Sequence, residues 1–325
     1  GWSTWLTAAA AQDRVVAFIP MVMDMPNLHT EMHHMWRAYG GWTFAFEDYY
    51  AENLTKYLDT AAFADLCNAT DPYVFFDRFA GKYKMPIDAI NDEFFMPDDE
   101  YYWWNDFPSP KWFQMNPDAE HSLSTAIEEL VPTLSTFLTM YLEEIEFPTI
   151  SWSIANTSGN ISVTYKGNTS QIVEARVWHG RSCGTKRRDF RLLNIDSPCL
   201  CGAPVDNGAY CTNFVSVFEN YELAASSMDG VSAMYTAGPS SYPDDHWSGF
   251  FVSLRVKFFD AKHPFWSADN RMIYREDGSS KFKTPQDSAF VVEYGEMQYT
   301  TQVSIVPQTF PFPPCQGEGC YGTLV

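Results

Sequence analysis

The chain has 325 residues, of which 46% are hydrophobic and 17% aromatic, so it can bury one large core or two ordinary ones. Its 41 acidic and 21 basic residues give a formal charge of −20, and such a surface repels phosphate backbones and anionic membranes. The apolar runs are far shorter than the roughly 18 residues that a membrane-spanning helix needs. We therefore expect no nucleic-acid partner and no membrane span.

The first part of the chain alternates helical patterns with short apolar runs. Helical patterns cover 3–11, 28–39, 46–58, 62–67 and 122–142. In the last of these we expect Ser122 near the N-cap and a kink at Pro132. The apolar runs at 15–20, 85–90 and 111–115 fit strands buried on both faces of a parallel sheet. This alternation predicts an α/β domain over residues 1–146.

The pattern changes to β-rich at Phe147. Short alternating or β-branched runs follow at 150–154, 160–165, 172–178, 250–259, 290–295 and 299–306. Turn residues separate them, which predicts an antiparallel, β-sandwich-like domain over residues 147–309. Residues 310–325 form a tail rich in Cys, Pro and Gly.

Seven cysteines predict disulfides rather than a zinc site. They are Cys67, Cys183, Cys199, Cys201, Cys211, Cys315 and Cys320. The last two could close a small terminal loop, and those from 183 to 211 form a second cluster. No C-x-x-C pair with zinc spacing occurs, so we expect no metal. The odd count leaves one cysteine free or bonded to a partner outside this chain.

Five N-x-S/T sequons favour a secreted glycoprotein. The candidate acceptors are Asn53, Asn68, Asn156, Asn160 and Asn168. The last three fall within one polar segment, and a cluster is a stronger signal than a single sequon. Together with the cysteines, they predict an extracellular location.

A carboxylate and a histidine follow two successive predicted strands. Asp92 and Glu93 follow the run at 85–90, and His121 follows the run at 111–115 through an Asn-Pro-Asp turn. Because α/β-hydrolases place the acid and base of a catalytic triad in this way, we predict Asp92 as orienting acid and His121 as base. Glu93 is the alternative acid, and helix capping or core packing is the alternative role for His121. No G-x-S-x-G nucleophile elbow occurs in the sequence.

Other candidate residues have a structural alternative. Tyr101, Trp103 and Trp104 could line a substrate pocket or cover the sheet. Asp98 and Asp99 follow a proline and are expected to be solvated loop charges.

Two further groups have the residue types of a binding site. His29 and His33 share a helix face, but the zincin position between them holds Thr30 instead of a general-base Glu, which favours packing over metal binding. The charged run at 187–191 is expected to form structural ion pairs, with substrate binding as the alternative.

Several stretches resemble one known family. They are GWSTWLTAAAAQDRVVAFIPMVMDMPNL, YGGWTFAFEDYY, NDEFFMPDDEYYW, NPDAEHSL, KRRDFR and PFPPCQGEGCYGTLV. These stretches run from Gly1 to the C-terminus and resemble the PhoPQ-activated pathogenicity-related family, which includes a secreted autocrine proliferation repressor. The resemblance implies an α/β-hydrolase fold, of which residues 1–146 would be the C-terminal half, followed by a β-rich part.

The resemblance also implies where the nucleophile lies. In the family, the GW-x-T-W run directly follows the elbow that holds the serine, so the serine is expected just upstream of Gly1 and is not Ser3. One hypothesis is that the native protein is processed into two chains. The partner would then be the N-terminal chain of the same precursor, which the odd cysteine could link. The alternative is that the sequence is a fragment.

The sequence thus supports two functions. The first is a secreted serine hydrolase of peptidase or esterase type that needs no cofactor and uses His121, Asp92 and an upstream serine. The second is a secreted signalling or structural glycoprotein that retains a hydrolase fold without turnover.

Overall fold

A computed structural model describes residues 1–242, 245–261, 272–274, 280–282 and 294–325. Elements of the first part are α1 (Trp2–Ala10), β1 (Ala17–Phe18), α2 (Leu28–Tyr39), α3 (Glu47–Ala51), α4 (Ala61–Thr70), β2 (Tyr83–Lys84), β3 (Ile87–Ala89), β4 (Gln114–Asn116) and α5 (Ile127–Leu142). In the part of the chain that the structure describes, no helix has the length and apolarity to cross a membrane.

The three predicted strand runs lie side by side in parallel. β1 pairs with β2 at Ala17 and Tyr83, and β3 pairs with β4 at Ile87 and Gln114. Single parallel bridges, Met21 to Ile87 and Lys84 to Lys111, extend both ladders. The segment 83–89 therefore lies between β1 and β4. Pro86 separates β2 from β3, because proline has no N–H to donate to a ladder. β3 and β4 are buried throughout, as expected for central parallel strands.

The longest helix starts later than its sequence pattern suggested. The segment from Ser124 to Ala126 is a 3-10 turn, and α5 begins only at Ile127. Leu123 has a φ of 56°, which interrupts helical geometry, and the Ser122 hydroxyl binds Glu120 instead of capping the helix. The expectation of an N-cap near Ser122 was therefore wrong.

The antiparallel sheets predicted beyond residue 147 are confirmed. Strands of this part are β5 (Thr149–Ile154), β6 (Ile161–Lys166), β7 (Ile172–Arg181), β8 (Leu193–Asn194), β9 (Gly202–Val205), β10 (Tyr210–Asn213), β11 (Glu219–Glu222), β12 (Ser227–Met228), β13 (Ser232–Ala237), β14 (Ser248–Ala261), β15 (Met272–Tyr274), β16 (Ser280–Phe282), β17 (Tyr294–Thr300) and β18 (Ser304–Val306). One sheet has the order β11-β7-β14-β17, with β18 also on β14, and a second has the order β12-β13-β6-β5. A small sheet has the order β8-β10-β9, and β15 pairs with β16. Of the predicted strand at 290–295, residues 290–293 lie outside the described residues.

Two apolar clusters hold the molecule together, and each takes residues from both sides of position 147. One cluster combines Val163, Val177 and Met297 of the two antiparallel sheets with Ile87 of β3 and Met140 of α5. The other cluster surrounds α1 and α2 and also takes in side chains from beyond residue 180. The change in sequence pattern at 147 therefore does not separate two cores.

Three disulfides form in the cysteine-rich segments, as predicted. The pairs are Cys183–Cys201, Cys199–Cys211 and Cys315–Cys320. Cys67, on α4, is a free cysteine, and burial raises its pKa to about 11. The odd cysteine of the sequence is thus on the first part of the chain, while the disulfides lie in the later part.

Candidate active site

Asp92 and His121 meet at the carboxyl edge of the parallel strands. Backbone hydrogen bonds from Ile90 to Asn116 and from Asn91 to Ala119 carry the pairing of β3 and β4 into the loops that follow. The two predicted site residues are therefore neighbours: Nδ1 of His121 lies 2.9 Å from Oδ2 and 3.2 Å from Oδ1 of Asp92. This is the geometry in which a carboxylate fixes the tautomer and orientation of an imidazole.

Both oxygens of the Asp92 carboxylate form hydrogen bonds. Its Oδ1 accepts hydrogen bonds from the backbone N–H groups of Phe94 (2.6 Å) and Phe95 (3.3 Å), and the residue is only 3% exposed. Burial raises the pKa of Asp92, while the hydrogen bond and charge of His121 oppose this rise. The geometry thus provides a rigid partner for the imidazole.

The imidazole of His121 is accessible, with 36% of its side chain exposed. Burial by itself would lower the pKa of His121, but its hydrogen bond to Asp92 and the charges of Asp92 and Glu93 outweigh burial, so the pKa is raised. With Nδ1 on Asp92, Nε2 has no hydrogen-bond partner among the described residues. Nε2 is therefore free to take a proton from an attacking group.

Glu93 positions the histidine through the backbone. Its Oε2 accepts a hydrogen bond of 3.1 Å from the backbone N–H of His121, and its own carbonyl accepts one from the Thr43 hydroxyl. Burial raises the pKa of Glu93 to about 7. The imidazole itself contacts Asp92, so the ring has Asp92 rather than the alternative Glu93 as its acidic partner.

Two phenylalanines that sequence reasoning missed complete the surroundings of His121. The ring centroids of Phe94 and Phe95 lie 4.4 and 5.9 Å from that of the imidazole. The same two rings line an apolar pocket with Trp2, Met23, Met25 and Leu28. The signal available in the sequence was that two adjacent aromatics directly follow the acidic pair.

The N-terminus of α1 lies at the same edge of the sheet. A Cβ on Gly1 would stand 2.1 Å from Cβ of Met23 and 2.4 Å from the Met21 carbonyl, so the helix start is pressed against the end of β1. The Trp5 indole anchors the helix by donating to the Met23 carbonyl. Ser3 lies exposed in the first turn of α1.

The predicted pocket aromatics separate into core and surface. Trp103 and Trp104 are 1% and 7% exposed and lie in the apolar core, whereas Tyr101 is 66% exposed. Trp103 packs on Trp5 with a centroid distance of 6.0 Å. These positions favour the packing alternative for both tryptophans, and their role as a substrate pocket stays a prediction.

The acidic pair after Pro97 is paired inside the protein, contrary to the expectation of solvated loop charges. Asp99 is 2% exposed and lies 2.6 Å from Nδ1 of His34. Asp98 forms an ion pair with Arg188. The expectation was wrong because Asp99 is buried by a helix 65 residues away along the chain, and local sequence carries no signal of that contact.

The remaining predicted polar residues lie in ion pairs or at the surface. His29 and His33 both bind Oδ1 of Asp59, at 3.1 and 2.9 Å, and with it form a group whose atoms could hold a metal ion. Arg191 forms a buried ion pair with Asp189, as expected for a structural motif. All five sequon asparagines are exposed. Glycosylation of these side chains stays a prediction.

Comparison with known proteins identifies the family. The model of the PhoPQ-activated pathogenicity-related protein family matches residues 1–191, a range that contains both Asp92 and His121. Autocrine proliferation repressor protein A of Dictyostelium discoideum is 29% identical over 336 residues, an alignment that covers 99% of this chain. The chain spans 58% of the length of that relative. Since the family match extends over more than half of its residues, the chain belongs to the PhoPQ-activated pathogenicity-related protein family.

Proposed function

We propose that this protein is a secreted serine hydrolase of peptidase or esterase type. His121 acts first as base and then as acid, Asp92 orients it, and the serine comes from a segment outside residues 1–325. The observation that carries the proposal is the hydrogen bond of 2.9 Å between Nδ1 of His121 and Asp92, which leaves Nε2 free. The imidazole would take the serine proton and deliver it to the leaving group of the acyl substrate.

The position of α1 supports this location of the serine. In α/β-hydrolases, the nucleophile sits on a sharp turn between a strand and a helix at the carboxyl edge of a parallel sheet. Here, the start of α1 lies against the end of β1 at the edge that carries Asp92 and His121, with no room for a side chain on Gly1. We infer that β1 to β4 belong to a larger sheet of α/β-hydrolase type, to which a preceding segment adds strands.

The disulfides and the exposed sequons support secretion. Three disulfides join six cysteines, and disulfides persist in oxidising compartments. Exposed asparagines occupy every sequon, which keeps them accessible to glycosylation.

The test is labelling of the native, full-length protein with a serine-directed fluorophosphonate, followed by mass spectrometry before and after reduction. We expect covalent label on one serine outside residues 1–325. His121→Ala should abolish this labelling, while the matched variant His29→Ala, on α2, should label at the wild-type rate. If the serine lies on a separate smaller chain, the protein is processed next to Gly1, and reduction shows whether a disulfide links the chains.

A protein that folds normally and takes no label would overturn the hydrolase proposal. Label on Ser3 would contradict the assignment of the nucleophile. Label that persists undiminished in His121→Ala would contradict the role of His121.

The second candidate function is secreted signalling or structural activity without turnover. The specific observation in its favour is the relative named autocrine proliferation repressor protein A. This function predicts that Asp92 and His121 variants keep full biological activity. The hydrolase proposal predicts that they lose it.

A further inference from the structure

Three buried carboxylates converge beside the candidate active site. Asp24 follows β1, Asp88 belongs to β3, and Glu100 lies in the 3-10 turn Asp99–Tyr102. One oxygen of each lies within 4.8 Å of the others. The three residues are 2%, 4% and 0% exposed, so the group is shielded from solvent.

The hydrogen bonds around this group leave several oxygens unsatisfied. Asp24 Oδ1 accepts from the Trp103 indole at 2.8 Å, and Asp88 Oδ1 accepts from the Met23 backbone at 3.3 Å. In the described residues, Asp24 Oδ2 and both carboxylate oxygens of Glu100 have no hydrogen-bond partner. A buried carboxylate oxygen without a partner is strongly destabilising, so the group requires compensation.

Basic side chains of the described residues make no direct contact with these carboxylates. Across the described ranges, no ion pair joins Asp24, Asp88 or Glu100 to a lysine, arginine or histidine. His34 and Arg188 are paired with Asp99 and Asp98, which precede Glu100 in the chain. Burial and the charges of its two neighbours raise the pKa of Asp24 well above its usual range.

We propose that Asp24, Asp88 and Glu100 form a binding site for a divalent cation, with Ca²⁺ as the preferred ion. Carboxylate oxygens are the ligands of hard cations, and Ca²⁺ binds them at about 2.3–2.6 Å, so two oxygens on one ion can be up to about 5 Å apart. The three oxygens lie within 4.8 Å of one another, which meets this condition. Mg²⁺ usually keeps several waters, and this buried site favours an ion that accepts protein ligands instead.

The ion would connect three segments at the edge of the sheet. Its ligands come from the segment after β1, from β3 and from the 3-10 turn that precedes Trp103. Asp88 lies four positions before Asp92, so the ion would also restrain the loop that presents Asp92 to His121. The site is therefore a positioning site for the proposed base and acid and takes no part in proton transfer.

Metal analysis and calorimetry on the native, full-length protein test the proposal. We expect bound calcium after purification in calcium-containing buffer, and a fall in Tm when a chelator removes it. Ca²⁺ should restore the Tm at lower concentration than Mg²⁺. Terbium luminescence, sensitised by tryptophan, should report the same site, because the Trp103 indole hydrogen-bonds a ligand carboxylate.

Glu100→Gln keeps the shape of the side chain and removes one ligand charge. We expect it to weaken calcium binding by at least about 10- to 100-fold, the range found even when groups behind the ligands are changed. The matched control is Glu222→Gln, an exposed position on β11, which should bind calcium like the wild type. Asp24→Asn is the second variant, should Glu100→Gln fail to fold.

Three results would overturn the proposal. Absence of bound calcium together with no response of Tm to Ca²⁺ would show that protons, or a basic group from a preceding segment, neutralise the carboxylates. Wild-type calcium affinity in both ligand variants would place any ion elsewhere. Equal affinity for Mg²⁺ and Ca²⁺ would contradict the preference for calcium. None of these readouts depends on hydrolase activity.

Discussion

At the scale of single residues, the two oxygens of Asp92 have separate tasks. Oδ1 accepts the backbone N–H groups of Phe94 and Phe95, and Oδ2 makes the shorter contact to His121. The first task fixes the carboxylate in the loop. The second fixes the imidazole, whose Nε2 is then available for chemistry.

Asp92→Asn should therefore retain the fold and lose the function of the pair. An amide can donate to the imidazole and select the wrong tautomer, which in serine proteases lowers kcat by about 10,000-fold. We expect a comparable loss in the rate of fluorophosphonate labelling of the full-length protein, with unchanged circular dichroism. Asp48→Asn, an exposed position on α3, serves as control. A labelling rate within about tenfold of wild type would contradict the triad role of Asp92.

The raised pKa of His121 predicts the direction in which the labelling rate and the stability change with pH. The neutral imidazole is the base, so the labelling rate should rise with pH and show an inflection above the ordinary value of 6.5. The stabilisation that charged His121 gains from Asp92 is present below 6.5 and is lost as pH rises through the folded-state pKa. A pH–rate profile checks the first expectation and urea unfolding at several pH values the second. An inflection at or below 6.5 would contradict the assignment.

Residues that follow strands could be predicted from the sequence, whereas burial by distant elements could not. Asp92 and His121 were found because each follows an apolar run, His121 through an intervening turn, and parallel strands bring their carboxyl ends to one edge. Asp99 was expected in solvent because its neighbours are Pro97 and Asp98. Its actual partner is His34 on α2, and the sequence pattern around Asp99 contains no signal of this long-range contact.

At the scale of elements, the start of α1 and the end of β1 are in unusually close contact. The distances at Gly1 leave no space for a methyl group, and the obstruction is mainly backbone and Cβ atoms that cannot rotate away. Such contact fixes the helix direction relative to the strand. The helix and strand periodicities predicted α1 and β1. They did not predict how closely the two elements approach, which is possible because Gly1 has no side chain.

Gly1→Ala should therefore displace α1 and destabilise the full-length protein. Overpacking typically costs about 1–3 kcal/mol, and urea unfolding would measure it as a lower midpoint at constant slope. Gly230→Ala is the matched control, since a Cβ there meets nothing within 4 Å. If both variants unfold at the same midpoint, the close contact at Gly1 does not exist in solution.

At the scale of the whole molecule, residues 321–325 pack against the segment that follows α2. The backbone N–H of Trp42 donates to the Thr323 carbonyl at 2.9 Å, and that of Val325 donates to the Trp42 carbonyl at 2.8 Å. The buried guanidinium of Arg191 donates to the Val325 carbonyl at 2.8 Å. The composition of the tail predicted only an irregular segment, because these contacts depend on partners that are far away in sequence.

Deletion of the last five residues should lower the stability of the molecule. Each lost hydrogen bond contributes about 0.5–1.5 kcal/mol, and those that leave a buried group unpaired cost more. Leu324→Ala is the control, because it removes a partly buried side chain and keeps the backbone contacts. Differential scanning calorimetry should show a larger fall in Tm for the deletion than for the substitution. An equal or smaller fall would mean that the tail docks through its side chain alone.

The long reach of these contacts has a consequence for the rate of folding. The Trp42 indole binds the Tyr321 carbonyl 279 residues away, and Met115 binds Thr300 185 residues away. Domains built from such non-local pairings fold slowly, since the loop between the partners must close first. During synthesis, β4 cannot contact β17 until residues 294–300 have been made, and Trp42 cannot bind residues 321–325 until these have been made. Until then, the nascent chain exposes apolar surface, which makes it prone to aggregation.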